Sequence, residues 1–235
     1  MYFLGLFLVQ PKESSMQSSR RRFLSSSGML IGALGFAGKA LADSCDFRPT
    51  AKQPLGPFYP VEFPSDSDID LTRLAGSAVR ATGDVMIIEG VVTDDMCKPI
   101  KGAIVEIWQA CHTGRYNHPS DTSGTALDPH FQYYGVMRTD EQGRYRFKTI
   151  KPGAYDASET WRRPPHIHFK VGLRGYRQLV TQSYWGGESL NETDLILMDL
   201  PIADRRKVVI DFKDEILNGE KIGRGTFDMT LTKLP

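Results

Sequence analysis

The run Ile87-Ile88-Glu89-Gly90-Val91-Val92-Thr93 decides the fold, together with a turn at Cys97-Lys98-Pro99 and a second apolar run over 103–109. β-Branched residues favour extended backbone, and Gly, Pro and Asp punctuate the chain where strands end. The same pattern predicts further strands over 135–139, 145–149, 166–171, 178–184 and 226–231. Asp140-Glu141-Gln142-Gly143 predicts a hairpin turn. The sequence therefore predicts an all-β fold of the sandwich type.

Helix is scarce in this pattern. A short helix is predicted over 66–74, and the apolar residues of 204–217 fit both the helical and the strand period, with a strand over 208–212 preferred. Two long stretches, 111–134 and 152–165, carry no regular pattern. Long irregular loops in a compact domain are often functional, so we expect the site to draw on them.

The first 42 residues predict a signal peptide. Arg20-Arg21-Arg22-Phe23-Leu24 precedes an apolar run over 28–38 and Ala40-Leu41-Ala42, an order that resembles a twin-arginine leader. A membrane anchor is the alternative, but eleven weakly apolar residues are too short to cross a bilayer of about 30 Å. We therefore expect a leader over 1–42, a single domain over 43–235, a periplasmic or extracellular destination, and no stable membrane insertion after cleavage. Met1 and Met16 both remain possible starts.

Charge and cysteine content narrow the function classes. Removing residues 1–42 takes away five of the 29 basic and one of the 28 acidic residues, which leaves a net charge of −3. This balance, without a basic stripe, argues against nucleic acid as a partner and favours a small-molecule substrate. An oxidising destination permits one disulfide among Cys45, Cys97 and Cys111, with the pairing open, and the absence of a CxxC motif argues against a thiolate zinc site.

His166-Ile167-His168 is the strongest local indication of a metal site. Residues i and i+2 of a strand face the same side, so both histidines can bind one metal ion. Without further residues, a His-x-His pair in a strand is as often exposed to solvent as it is bound to a metal. No His-x-Asp or His-x-Glu supplies a carboxylate partner, whereas Tyr116 and Tyr155 each follow a glycine within an irregular loop. Phenolate is a hard anionic ligand that favours ferric iron over ferrous iron.

Four ordered segments resemble the signature segments of the intradiol ring-cleavage dioxygenases, protocatechuate 3,4-dioxygenase β-subunit type. The resemblance covers roughly 55–186 and implies a prealbumin-like β-sandwich with long active-site loops. One departure is that Arg162 stands where the β-subunit type usually has tryptophan, with Trp161 displaced by one position, which leaves the substrate preference open. The segments are 102–110, 114–116, 149–155 and 163–169.

The resemblance implies a ligand set for one Fe(III) per chain. Its members would be Tyr116, Tyr155, His166 and His168. In the family, the tyrosine at the Tyr155 position leaves the metal when substrate binds and accepts a proton from the substrate.

Other residues receive roles by the same resemblance. Arg163 would stabilise negative charge on the activated ring, and Gln182 and Tyr184 would lie beside the site. Tyr59, in Leu55-Gly56-Pro57-Phe58-Tyr59-Pro60, would line the substrate mouth.

The implied activity is cleavage of a catechol-type ring by O₂ between its hydroxyl-bearing carbons, giving a muconate-type diacid in aromatic catabolism. Protocatechuate, catechol and hydroxyquinol remain alternatives for the substrate, and a homo-oligomer or hetero-oligomer is possible. The competing hypothesis is an exported β-sandwich binding module without catalysis. Two inward tyrosines beside Arg163 would favour the enzyme, because a binding module does not require them.

Changing Arg20 and Arg21 to lysine should leave coloured, active enzyme in the cytoplasm, because the twin-arginine route carries proteins that are already folded. Cell fractionation with iron analysis measures this. Rerouting through a general secretory leader should export protein with less iron, since metal loading is coupled to folding and copper or zinc then compete. Normal export of the double lysine variant would contradict the twin-arginine prediction, and equal iron by both routes would contradict metal selection.

Overall fold

The computed structural model describes residues 47–235, so the predicted leader and its cleavage point lie outside the described residues. This part of the chain is built mainly from strands. They are β1 Val85–Asp94, β2 Ile104–Trp108, β3 Tyr134–Arg138, β4 Arg144–Ile150, β5 Tyr155–Ser158, β6 Trp161–Arg163, β7 His166–Gly172, β8 Leu179–Trp185, β9 Val209–Ile210, β10 Lys213–Leu217, β11 Glu220–Thr226 and β12 Met229–Leu231. Within residues 47–235, helical structure is limited to a 3₁₀ turn, Ser189–Glu192, and two short helices, α1 Leu195–Met198 and α2 Ile202–Val208.

The strands form two five-stranded sheets and one separate hairpin. In the first sheet β1 is central: it pairs antiparallel with β4 and parallel with β11 and β12, and β10 extends the sheet beyond β11. The second sheet has the order β3-β2-β7-β8-β9, and among the described strands β5 pairs only with β6. This architecture confirms the predicted all-β sandwich.

The two sheets meet in an apolar core. Ile88 and Phe147 of the first sheet and Phe169 of the second are fully buried in it. The Phe169 and Phe227 rings lie edge to face with centroids 5.1 Å apart, and the Tyr145 hydroxyl donates to the Phe227 carbonyl at 2.5 Å. Burial of this apolar surface is the main contribution to stability.

Most predicted strands are confirmed, with bounds that shift by one or two residues. The predicted strand over 226–231 is interrupted, because only its ends fall in β11 and β12. At the break, the Asp228 carboxylate accepts from the Val91 backbone N–H at 2.8 Å, where a regular ladder would use a backbone carbonyl. The apolar pattern of 226–231 does not reveal this substitution of partners.

The predicted helix over 66–74 is wrong. Asp68 and Asp70 each accept a hydrogen bond from the backbone N–H two residues later, at 2.7 and 3.1 Å. Such local side-chain bonds compete with the helical hydrogen bonds and turn the chain instead. The strand preferred over 208–212 is also largely wrong, because α2 continues to Val208 and β9 contains only Val209 and Ile210.

The irregular stretches have mixed outcomes. Of the predicted stretch 111–134, residues 111–133 contain no helix or strand and Tyr134 begins β3, whereas 152–165 contains the β5–β6 hairpin. The turn at 140–143 is confirmed, with Gly143 at a φ of 72° and its N–H donating to Asp140. It is not a hairpin within one sheet, because β3 lies in the second sheet and β4 in the first.

Cysteine pairing follows the expectation of one disulfide and one thiol. Cys97 is disulfide-bonded, and Cys111 is a free thiol that is fully buried. Within residues 47–235, no helix has the length and apolar character needed to cross a membrane.

Two glycines let the loop before Tyr116 and the loop before Tyr155 pack backbone against backbone. A Cβ at Gly153 would lie 2.4 Å from the Gly114 nitrogen, and a Cβ at Gly114 would lie 2.4 Å from the Ala154 carbonyl oxygen. Gly114 also has a φ of 86°, which residues with a side chain rarely adopt. The contact brings two tyrosines that are distant in sequence to the same end of the second sheet.

Gly114→Ala should destabilise the protein more than Gly124→Ala. Both glycines have φ near 80°, so each substitution costs about 1 kcal/mol of left-handed strain. Only Gly114 has backbone atoms against its missing Cβ, whereas nothing lies within 4 Å at Gly124, which adds roughly 1–3 kcal/mol of steric cost at Gly114. Urea unfolding of both variants measures the difference, and equal losses would show that the loop contact is not a constraint.

Candidate metal centre

The two histidines of β7 lie on one face of the second sheet. His166 and His168 are each 2% exposed, while Ile167 and Phe169 between and after them point into the inter-sheet core. The outward face is buried because loops cover it. β8 carries the opposing residues in register, with Tyr184 beside His166 and Gln182 beside His168.

The two tyrosines reach this face from different elements. Tyr116 is 3% exposed, and its backbone N–H donates to the buried Asp121 carboxylate at 2.7 Å, which fixes the loop that carries it. Tyr155 opens β5, where it pairs across the hairpin with Arg163. The hairpin, which the sequence pattern did not predict, is therefore the element that places Tyr155 and Arg163 together.

The four rings converge. The ring centroids are 4.9 Å apart for His166 and His168, 5.6 Å for Tyr116 and Tyr155, and 5.7 Å for Tyr155 and His166. The Tyr116 hydroxyl lies 3.3 Å from His166 Nε2. Two donors that each bind one metal at about 2.1 Å are about 3.0–3.4 Å apart at ordinary bond angles, so this spacing fits a shared ion.

Both imidazoles are held neutral, and His166 is also fixed in one tautomer. His166 Nδ1 lies 2.7 Å from the Pro164 carbonyl, so Nδ1 carries the proton and Nε2 keeps its lone pair. Burial and the nearby Arg163 charge hold the pKa of His166 and the pKa of His168 well below their usual range. Neutral imidazoles are the form that binds metals.

The phenols determine which metals fit. Burial raises the pKa of Tyr116 well above its usual value, and burial also raises the pKa of Tyr155 although the Arg163 charge opposes it. Only a strongly charged cation displaces protons from such groups. Among residues 47–235 no cluster of three or more His, Cys, Asp or Glu side chains forms a metal site. A set of two phenolate oxygens and two imidazole nitrogens fits ferric iron, whose charge the phenolates partly neutralise.

Arg163 is held on three sides. Its Nε donates to Asp194 at 2.9 Å, and its Nη2 donates to Gln182 at 2.8 Å and lies 3.3 Å from the Tyr184 hydroxyl. Nη1 lies 3.1 Å from His166 Nε2 and so faces the ring cluster. Burial alone would lower the pKa of Arg163, but the Asp194 hydrogen bond raises it above its usual value. One cationic N–H group is thus presented to the cluster in a fixed direction.

Asp194 is the site residue that sequence reasoning missed. It is fully buried, and besides pairing with Arg163 it caps α1 by accepting from the Leu197 N–H at 2.8 Å. An aspartate just before an apolar run is the one available signal, and it predicts a helix cap rather than an arginine partner.

Tyr59 stands apart from the four rings. Its ring meets the edge of Trp108, whose own ring stacks on His168 with centroids 4.8 Å apart. Its hydroxyl donates to Glu106 at 2.5 Å and accepts from Lys170 at 2.6 Å. Phe58, beside it, stacks on Tyr116 at 4.5 Å and is the nearer neighbour of the cluster.

Comparison with known proteins agrees with this geometry. A family model described as dioxygenase matches residues 55–233. The protocatechuate 3,4-dioxygenase beta chain of Burkholderia cepacia is 39% identical over 180 residues, which cover 74% of this chain and 76% of that protein. The catechol 1,2-dioxygenase of Candida albicans is 30% identical over 200 residues, which cover 77% of this chain and 62% of that protein.

A solved structure shows the same likeness in three dimensions. The catechol 1,2-dioxygenase of Acinetobacter sp. ADP1, inhibited by bound mercury, has a TM-score of 0.63 at 28% identity, covering 79% of this chain and 63% of that one. With a family match over most of its length, this chain belongs to the intradiol ring-cleavage dioxygenases, a family of oxidoreductases, and to their protocatechuate 3,4-dioxygenase β-subunit type.

Proposed function

We propose that this chain binds one Fe(III) through Tyr116, Tyr155, His166 and His168. With it the chain uses O₂ to open a catechol-type ring, such as protocatechuate, catechol or hydroxyquinol, to a muconate-type diacid in aromatic catabolism. The proposal rests on one observation: two phenols and two neutral imidazoles form a buried cluster beside an arginine whose orientation is fixed. Both oxygen atoms enter the product, so no external reductant is required.

Ferric iron, when bound, supplies the Lewis acidity that draws electron density from a catecholate and makes the ring reactive toward oxygen. The protein residues supply orientation and proton transfer. Trp108 stacks on His168 and fixes the plane of that imidazole. The burial of both histidines excludes bulk water from the face on which the substrate would sit.

Tyr155 is the ligand suited to give way to substrate. It lies on a two-stranded hairpin whose other β5 residues are exposed, and it is itself only partly buried. Tyr116 is nearly inaccessible and is fixed through Asp121. A substrate hydroxyl would therefore pass its proton to the Tyr155 phenolic oxygen as that side chain swings away.

Arg163 supplies the positive charge for the reacting ring. Its Nη1 faces the ring cluster, while Asp194, Gln182 and Tyr184 occupy the other nitrogens. A preorganised donor of this kind stabilises developing negative charge without having to reorient during the reaction. Gln182 and Tyr184 thus act by holding Arg163, in addition to any contact with substrate.

We also propose that the reaction takes place outside the cytoplasm. The support is the order of paired arginines, apolar run and small-x-small motif over 1–42. We further propose that the chain assembles with a partner subunit, since the relative from Burkholderia cepacia is named as a beta chain.

The direct test is product analysis on purified, iron-loaded protein supplied with O₂ and each of the three catechols. We expect a muconate-type diacid from at least one of them, one iron per chain and visible absorption from ferric tyrosinate. Failure to open any catechol, or opening outside the two hydroxyl-bearing carbons, would overturn the proposed function.

Tyr116→Phe tests the ligand set within the same assay. It should lower iron affinity by at least roughly 100-fold and weaken the visible band, because a ligand is lost while the ring is kept. Tyr133→Phe is the matched control, since Tyr133 donates its hydroxyl hydrogen to the Asp128 carbonyl and lies outside the four-ring cluster. Normal iron content and colour in Tyr116→Phe would remove Tyr116 from the ligand set.

The Arg163→Gln, Asp194→Asn double variant tests the role of the arginine. Removing Arg163 alone would leave the Asp194 charge buried without a partner, at a cost of about 3–5 kcal/mol of stability, so both charges are removed together. We expect kcat to fall by roughly 10²–10³ with iron content unchanged, measured by steady-state kinetics. Arg162→Gln, which breaks an exposed pair with Asp156, should leave kcat unchanged. An unaltered kcat in the double variant would reject the role.

A further inference from the structure

A short segment over 53–60, here called the strap, crosses the face that carries the ring cluster. It contains a turn at 57–58 but neither helix nor strand, so its position on the sheet depends on tertiary contacts. At its start, the Gln53 backbone N–H donates to the Val180 carbonyl at 2.9 Å, and Tyr184 donates to Gln53 Oε1 at 2.7 Å. The beginning of the strap is therefore tied to β8.

The middle of the strap touches the proposed ligands. A Cβ at Gly56 would lie 3.2 Å from His168 Cε1, so a side chain there would push on that imidazole, and the φ of 78° at Gly56 also favours glycine. Phe58 stacks on Tyr116 at 4.5 Å and meets the edge of Tyr155 at 5.9 Å. A displacement of the strap would therefore change the surroundings of three of the four rings.

The far end of the strap is held by a group of charges that the proposed reaction does not use. Glu106 of β2 and Lys170 of β7 are direct cross-strand neighbours, and Lys170 Nζ lies 3.2 Å from Glu106 Oε1. Both bond the Tyr59 hydroxyl, and Tyr134 adds a hydrogen bond to Glu106 at 3.0 Å. Lys170 Nζ also lies 4.5 Å from the centre of the Tyr59 ring.

This group, here called the clamp, is partly withdrawn from water. The Lys170 and Glu106 side chains are 21% and 13% exposed. Hydrogen bonds to charged groups in such settings are stronger than neutral ones, and leaving one partner unpaired carries a desolvation cost. The Tyr59 hydroxyl satisfies both charges at once, so releasing it from the clamp is unfavourable.

We propose that Glu106 and Lys170 are positioning residues that act through Tyr59 to hold the strap as a fixed wall of the substrate-binding space. Within residues 47–235, their hydrogen bonds and ion pair go to Tyr59, to Tyr134 and to each other, and so they act on substrate binding rather than on the metal. The inference rests on the proposed function for the identity of the ligands, but the anchoring itself is a property of the protein without metal or substrate.

The experiment compares Tyr59→Phe and Lys170→Met with the wild type. Tyr59→Phe keeps the ring against Trp108 and removes only the hydroxyl, so it should fold normally. Hydrogen–deuterium exchange on the metal-free protein should show faster exchange in peptides covering 53–60 in both variants. In the iron-loaded enzyme, the KM for a cleaved catechol should rise about tenfold, with kcat, iron content and visible absorption within twofold of wild type.

Lys101→Met is the matched control. It removes an ammonium that also pairs with a glutamate, Glu141, but in an exposed position before the opposite end of β2. It should change neither exchange over 53–60 nor KM. A general loss of structure would instead accelerate exchange across both sheets and lower iron content, which would count against a positioning role.

Unchanged exchange over 53–60 together with unchanged KM in Tyr59→Phe would overturn the proposal. If the wild type opens no catechol, the proposed function is rejected. If exchange over 53–60 is nevertheless faster in the variants, the clamp is supported. The two failures are thus distinguished by separate measurements.

Discussion

The alternation of side chains along β7 is the constraint on which both the fold and the site depend. Ile167, Phe169 and Val171 fill the core between the sheets, and His166 and His168 point to the opposite face. A shift of one residue in the register of this strand would place both histidines in the apolar core. The pairing of β7 between β2 and β8 therefore fixes the core and the proposed metal ligands in a single step.

The second dependency is the ion pair between Arg163 and Asp194. It links the β5–β6 hairpin to α1, two elements that lie in neither main sheet. Two buried charges carry a large desolvation cost, which their mutual attraction and further hydrogen bonds must offset. Here Gln182, Tyr184 and the α1 N-terminus provide those bonds, so the pair fixes a direction for Arg163 rather than adding much net stability.

The sequence predicted those features that depend on local pattern. Alternating apolar residues located most strands, and the His-x-His spacing located two residues on one face. The sequence could not reveal contacts whose partners lie far apart along the chain. Asp194 is 31 positions from Arg163, and its local context indicates only a helix cap. The turns at Asp68 and Asp70 were missed because side-chain to backbone bonds there outcompete helical propensity.

The site occupies the outward face of the second sheet, and the inward face of that sheet carries the core. Tyr116, Tyr155 and Phe58 pack in a separate apolar cluster on the outward face, whereas Tyr184 also belongs to the inter-sheet core. The half-buried Phe58 and Tyr59 of the strap pack against Tyr116 and Trp108 on this outward face and are not part of the inter-sheet core. Substitutions in the strap would change which aromatic compounds are accepted, and substitutions in the inter-sheet core would change the thermal tolerance of the domain. The two properties can therefore be engineered with different sets of substitutions.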